Sequence, residues 1–78
     1  MNVEEKIISI IKSNLETPIA ITRESRLIED LNVDSFSMIM IVNECEDEFS
    51  IAIDDNDLME MRTVSDIIVT LKEKYLKV

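Results

Sequence analysis

The chain has 78 residues, 17 acidic and 8 basic, with a formal net charge of −9 and a hydrophobic content of 46%. That apolar content excludes a disordered acidic tail, and the length allows one domain, residues 1–78, with a single small core and little room for a substrate cleft. Histidine and glycine are both absent, where average usage supplies about five glycines. Their absence excludes a self-contained Ser-His or Cys-His apparatus and Gly-rich phosphate loops, and argues against tight two-residue hairpins.

The predicted elements are all helical. Residues 3–15 place Val3, Ile7, Ile10, Ile11 and Leu15 on one stripe, with Asn2 and Glu5 at capping spacing and Asn14 suited to the end. Pro18, Thr22, Ser25 and Asp30 interrupt the pattern over residues 16–34. In that long connection Leu27, Ile28 and Leu31 are spaced for one helical turn that pins the loop to the core. A second helix runs from Asp34 or Ser35 to Phe49, with Ile39, Val42, Cys45, Glu46 and Phe49 near one face. Glu46 keeps its carboxylate wet at the border of that face, and Cys45 reads as a small core residue.

Residues 51–54 form an extended connector with Ile51 and Ile53 inward, and Asp54 or Asp55 caps a short helix through about Met61. The last helix runs from Val64 to about Lys77 and buries Val64, Ile67, Ile68, Leu71 and Tyr75. Thr63 and Asp66 cap its start, while Lys72, Lys74 and Lys77 suit the negative end of its dipole. The expectation is an all-α four-helix bundle, three longer helices and one short one, with a long first loop.

The charge is unevenly spread. Residues 34–61 carry nine acids and no Lys or Arg, the whole of the net charge, while residues 62–78 are net +2. Such a block repels nucleic acid and anionic lipid and suits partner proteins with basic docking patches. One cysteine forms no internal disulfide and makes no zinc site, and no apolar run approaches the ~20 residues that span a bilayer. The first residues, Met-Asn-Val-Glu-Glu-Lys, carry acids where a secretory leader has bases. These features predict a cytoplasmic monomer without a metal.

Asp54-Asp55-Asn56-Asp57 suggests a calcium loop. The spacing fails, because Met59 takes the fifth position and no glycine exists for the sixth. Leu31-Asn32-Val33-Asp34-Ser35-Phe36 is first a helix start, with Asp34-Ser35 as its cap. In ungapped register it continues through Ile39, Val42, Glu46-Asp47-Glu48-Phe49, Ile51, Ile53, Asp55 and Thr63-Val64. That pattern, from Leu27 to Ile67, closely resembles an acyl carrier protein.

The resemblance implies that Ser35 is esterified by 4′-phosphopantetheine, taken from coenzyme A by a phosphopantetheinyl transferase. It implies no catalytic residue, because the thiol that carries the acyl group comes with the cofactor and acyl-processing enzymes do the chemistry. Asp34 would cap the helix and help coordinate the transferase's metal during loading. Ile39, Val42, Ile53, Met61, Val64 and Ile67 become candidates to line an acyl pocket, against the plainer reading of a packed core.

Departures from the family pattern stand out. Asn32 replaces the usual Gly and suits a left-handed turn. Phe36 replaces Leu or Met, Asp54 stands where proline is common, and Ser37, Met38 and Met40 stand where acidic and small polar residues are general. Phe36 and Met40 share a helix face, so Phe36, Met38 and Met40 form a candidate apolar partner patch. Glu44, Asp47 and Glu48 are the candidate ionic contacts. The cargo stays open: fatty-acid synthesis, an aminoacyl or D-alanyl carrier, or a polyketide or nonribosomal peptide pathway. A further alternative is an acidic interaction module without a prosthetic group.

Overall fold

The computed structural model describes residues 2–77. Helix α1 spans Val3–Ser13, α2 Ser35–Phe49, α3 Asp55–Met59 and α4 Val64–Thr70. From α4 the chain continues without interruption into a π-helical segment, Leu71–Leu76. Among the described residues there is no strand; the one β-type contact is an isolated bridge between Arg26 and Thr63. The all-α architecture expected from the periodicity is the one observed.

Each helix starts where a side chain satisfies a free backbone donor. Asn2 accepts from Glu5 N–H at 2.8 Å, Asp34 from Ser37 N–H at 2.8 Å and Asp54 from Asn56 N–H at 2.7 Å. Thr63 and Asp66 form a reciprocal capping box, with Asp66 N–H donating to Thr63 Oγ1 and Thr63 N–H donating to Asp66 Oδ2. Helix ends are less local. The first helix stops at Ser13, two residues before the expected end, because Asn14 Nδ2 takes the Ile10 carbonyl at 2.8 Å and also reaches Glu44 Oε2 at 2.6 Å. The third stops at Met59 rather than Met61, with Glu60 as its C-cap.

The core joins Ile7 and Ile11 of α1, Ile41 and Cys45 of α2, and Val64, Ile67, Ile68 and Leu71 of the last helical run. Leu27, Leu31 and Val33 of the long loop complete it. Two expectations need correction. Ile28 does not pin the loop: Leu27 and Leu31 do, and Ile28 points outward. Helix α2 buries Val42 and Cys45 and packs Phe49 on the core as expected, but Ile41 is buried in place of Ile39, which is 53% exposed. The apolar run Met38–Val42 offers two overlapping stripes, and packing into the core against α1 selects the one that carries Ile41.

Glu46 stays half-buried, and its Oε2 accepts Ile53 N–H at 2.8 Å, which ties the connector to α2. Burial, followed by the charges of Glu44 and Glu46, pushes the Cys45 thiol up to about 12, so it remains protonated as a core residue. Among the described residues, no helix is long and apolar enough to cross a membrane.

Candidate functional site

The long loop is held by backbone bonds to Arg62, just before α4, and to the first turn of α4. Leu27 N–H donates to the Arg62 carbonyl at 2.9 Å, Val64 N–H to Ser25 at 3.0 Å and Ser65 N–H to Arg23 at 2.8 Å. These bonds set the loop beside α3 and direct its end into α2. Asn32 makes the last bend with φ of 56°, a left-handed conformation that asparagine tolerates better than most residues. Val33 N–H then returns to the Leu27 carbonyl at 2.8 Å. Within three residues the chain passes from a buried valine to an exposed serine.

Ser35 is the first residue of α2 and is exposed. Asp34 before it holds Ser37 N–H, and the Asp34 carbonyl accepts Met38 N–H at 2.9 Å. Hydrogen bonding from Ser37 holds the Asp34 carboxyl below its usual value, so it is ionised at neutral pH. The helix geometry leaves the N–H groups of Ser35 and Phe36 directed out of the positive end of α2. A phosphodiester on Ser35 Oγ would therefore sit where its charge is tolerated, with its arm free to leave the surface. The residues present fit such a group.

Beside Ser35 opens a cleft of about 640 Å³. The loop contributes Leu27, Ile28, Glu29 and Val33; α2 and its cap contribute Asp34, Ser35, Met38 and Ile39; α3 and its exit contribute Leu58, Met59, Met61 and Arg62. Its walls are mainly aliphatic and thioether side chains, suited to an apolar chain, with Glu29, Asp34 and Arg62 as its charges.

Of the six pocket candidates, Ile39 and Met61 line this cleft. Val42, Val64 and Ile67 are buried but absent from its walls, while Ile53 lines a separate depression with Asp54, Asn56, Asp57, Lys74 and Tyr75. Leu27, Val33, Leu58 and Met59 escaped the sequence reading as wall residues. They sit on the loop and the short helix, whose approach only long-range hydrogen bonds determine. Leu27 and Val33 stand shortly before the Asp34-Ser35 motif, a signal the sequence offers, whereas Leu58 and Met59 carry none.

The partner candidates also separate. Phe36 and Met40 are exposed and Met38 is half-buried against the core. Glu44 accepts from Asn14, and Glu48 faces Lys6 at 3.2 Å, so both turn toward α1; Asp47 is exposed. In the suggested calcium loop, Asp54 is engaged as a cap, and Asp57 accepts from Lys74 Nζ at 2.6 Å and from Tyr75 Oη at 2.5 Å. Among the described residues no three His, Cys, Asp or Glu side chains converge to hold a metal ion.

Comparison with known proteins gives a consistent result. The family described as "Phosphopantetheine attachment site" matches residues 5–71. The chain is 37% identical over 73 residues to an acyl carrier protein of Rickettsia bellii, covering 92% of this chain and 85% of that one. It is 35% identical over 75 residues to an acyl carrier protein of Thermotoga maritima, covering 90% and 93%. A meromycolate extension acyl carrier protein of Mycobacterium leprae is also 35% identical over 75 residues, covering 90% of this chain and 65% of the relative. The solved structure of a Mycobacterium tuberculosis chain assigned as an acyl carrier protein superposes with a TM-score of 0.87 at 34% identity, covering 95% of this chain and all of that one. Members of this family are carriers rather than enzymes, and their cofactor is 4′-phosphopantetheine. With its helical fold and an exposed serine at the start of α2, the chain belongs to the acyl carrier protein family.

Proposed function

We propose that Ser35 carries the 4′-phosphopantetheine arm and that the chain delivers acyl groups, held as thioesters, to enzymes of fatty-acid synthesis or a related pathway. The observation that carries the reading is the position of Ser35: exposed at the first turn of α2, after a capping Asp34, on the lip of an apolar cleft. The arm supplies the thiol that holds the acyl group. The chain orients it: the N-terminus of α2 accommodates the phosphodiester charge, and Asp34 keeps that first turn in place.

The cleft between the long loop and α3 is the proposed shelter for the acyl chain, with Leu27, Val33, Met38, Ile39, Leu58 and Met61 as its walls. Apolar cargo leaves water there without displacing a buried polar side chain. A specialised pathway is the second reading. It is favoured by Phe36, Ile39 and Met40, exposed and uncharged at the start of α2.

Incubation with a broad-specificity phosphopantetheinyl transferase and coenzyme A, followed by intact mass measurement, tests the attachment. One phosphopantetheine adduct is expected on the wild type and none on Ser35→Ala. An adduct on that variant, or none on the wild type, refutes it. Loading by a fatty-acyl ligase against loading by adenylation enzymes separates the pathways.

A further inference from the structure

Close to Ser35 the surface is largely apolar, with Asp34, Glu29 and Arg62 as the charges of the cleft. Helix α2 has no charged residue from Ser35 to Asn43. Phe36, Ile39 and Met40, spaced to share one face, are 71%, 53% and 37% exposed. Across the cleft mouth Ile28 is 70% exposed and Met59 77%. Exposed large apolar side chains are common singly, but five around one serine form a patch.

The acids of α2 lie further along, and three of them are engaged within the fold. Glu44 accepts from Asn14, Glu46 accepts from the Ile53 backbone, and Glu48 pairs with Lys6. Asp34, next to the serine, holds Ser37 N–H. With Glu29 and Arg62 of opposite sign, Asp34 is the one uncompensated charge lining the cleft, a weak attraction for a charged partner at this end.

Resting on the attachment reading, we infer that an enzyme acting at Ser35 docks through an apolar collar, with Phe36, Ile39 and Met40 on one bank and Ile28 and Met59 on the other. The occupant is the rim of that enzyme's active-site mouth, aliphatic or aromatic and poor in Lys and Arg. The placement of Ser35 dictates this occupant. An enzyme that reaches this serine must bring its active site over the first turns of α2, and so covers the collar. The two methionines let the collar adapt its shape to more than one rim. The contacts that hold the complex at Ser35 are desolvated and uncharged, and a partner rim poor in Lys and Arg is not steered by the net charge, so salt has little hold on the encounter.

The test uses the whole chain, coenzyme A and the broad-specificity phosphopantetheinyl transferase as probe, with kcat/KM for loading followed across NaCl concentrations. The wild-type rate should vary less than about threefold between roughly 0.05 and 0.5 M NaCl. Phe36→Ser with Met40→Ser should lower kcat/KM about tenfold through KM, the effect of withdrawing two partly buried apolar contacts. The combination Glu44→Gln, Asp47→Asn and Glu48→Gln should lower it by less. Circular dichroism confirms that each variant is folded, and the wild-type salt series needs no variant at all. A steep loss of rate with salt, or a larger loss from the charge variant than from the apolar one, overturns the collar and leaves attachment standing. Absence of an adduct on the wild type, or an adduct on Ser35→Ala, overturns the attachment reading and the collar with it.

Discussion

A protein without glycine must make its left-handed turns from other residues, and it does so at Asn32, Ser50 and Lys77, with φ of 56°, 55° and 52°. Asn32 suits that region, whereas serine at the C-cap of α2 bears a steric penalty that glycine avoids. Because Ser50 and Ile51 N–H groups both reach the Glu46 carbonyl, the geometry is fixed by the helix end and not by the residue. Ser50→Gly should therefore stabilise the protein by roughly 0.5–1 kcal/mol, read from the urea midpoint. Cys45 supplies a second test at this scale. Buried and with its pKa raised to about 12, its thiol should resist a disulfide reagent at about pH 8 in the native protein and react promptly in denaturant.

At the scale of elements, α2 shows how a good apolar count can leave orientation open. Its start follows from Asp34, whose side chain finds Ser37 N–H three residues on, so that boundary could be read from neighbouring residues. Its inward face could not, because the run from Met38 to Val42 has no unique helical phase. Packing into the core against α1 puts Ile41 at 0% exposure and leaves Ile39 outside. Ile41→Ala should cost about 2–4 kcal/mol in urea denaturation, and Ile39→Ala no more than about 0.5 kcal/mol.

Helix α3 is held differently. With five residues and no fully buried side chain, it is too short to persist by propensity. The π-helical segment carries Lys74 and Tyr75 to Asp57, and Asp54 N–H donates to Tyr75 Oη at 2.8 Å. Tyr75→Phe should speed amide hydrogen exchange across Asp55–Met59 while leaving α1 unchanged. The Asp54 N–H bond favours the Tyr75 phenolate, yet the bond to Asp57, burial and the two carboxylate charges outweigh it and raise the phenol above its ordinary value of 10.0. It keeps its proton, and donates, at neutral pH.

For the whole molecule the net charge of −9 governs the response to salt and acid. Several of its acids are occupied within the fold: Glu4 faces Arg23, Asp30 Arg26, Glu48 Lys6 and Asp57 Lys74. Unscreened repulsion among the rest opposes the compact state, so Tm should rise as NaCl is added from low ionic strength. Strong acid acts on specific carboxylates instead. Hydrogen bonding holds Asp30, Asp34 and Asp57 below the usual carboxylate value of 3.8, chiefly through Arg26, Ser37 and Lys74 respectively. Their stabilisation is complete above that value and is lost as pH falls through the lower native pKa values. A thermal-melt series should show this loss below pH 3.8, reduced in Asp57→Asn.

The sequence alone determined the helix starts, the long loop and the serine at the first turn of α2, because capping joins residues two or three apart and needs no tertiary partner. The run from Leu27 to Ile67 also carried the family resemblance in linear order. Only the tertiary structure decided that Ile41 faces in and Ile28 out, and that the loop and α3 form a cleft beside Ser35. It also decided that Glu44 and Glu48 turn toward α1. These outcomes depend on partners distant in the chain, and an ambiguous apolar run acquires a single face only when another helix packs against it.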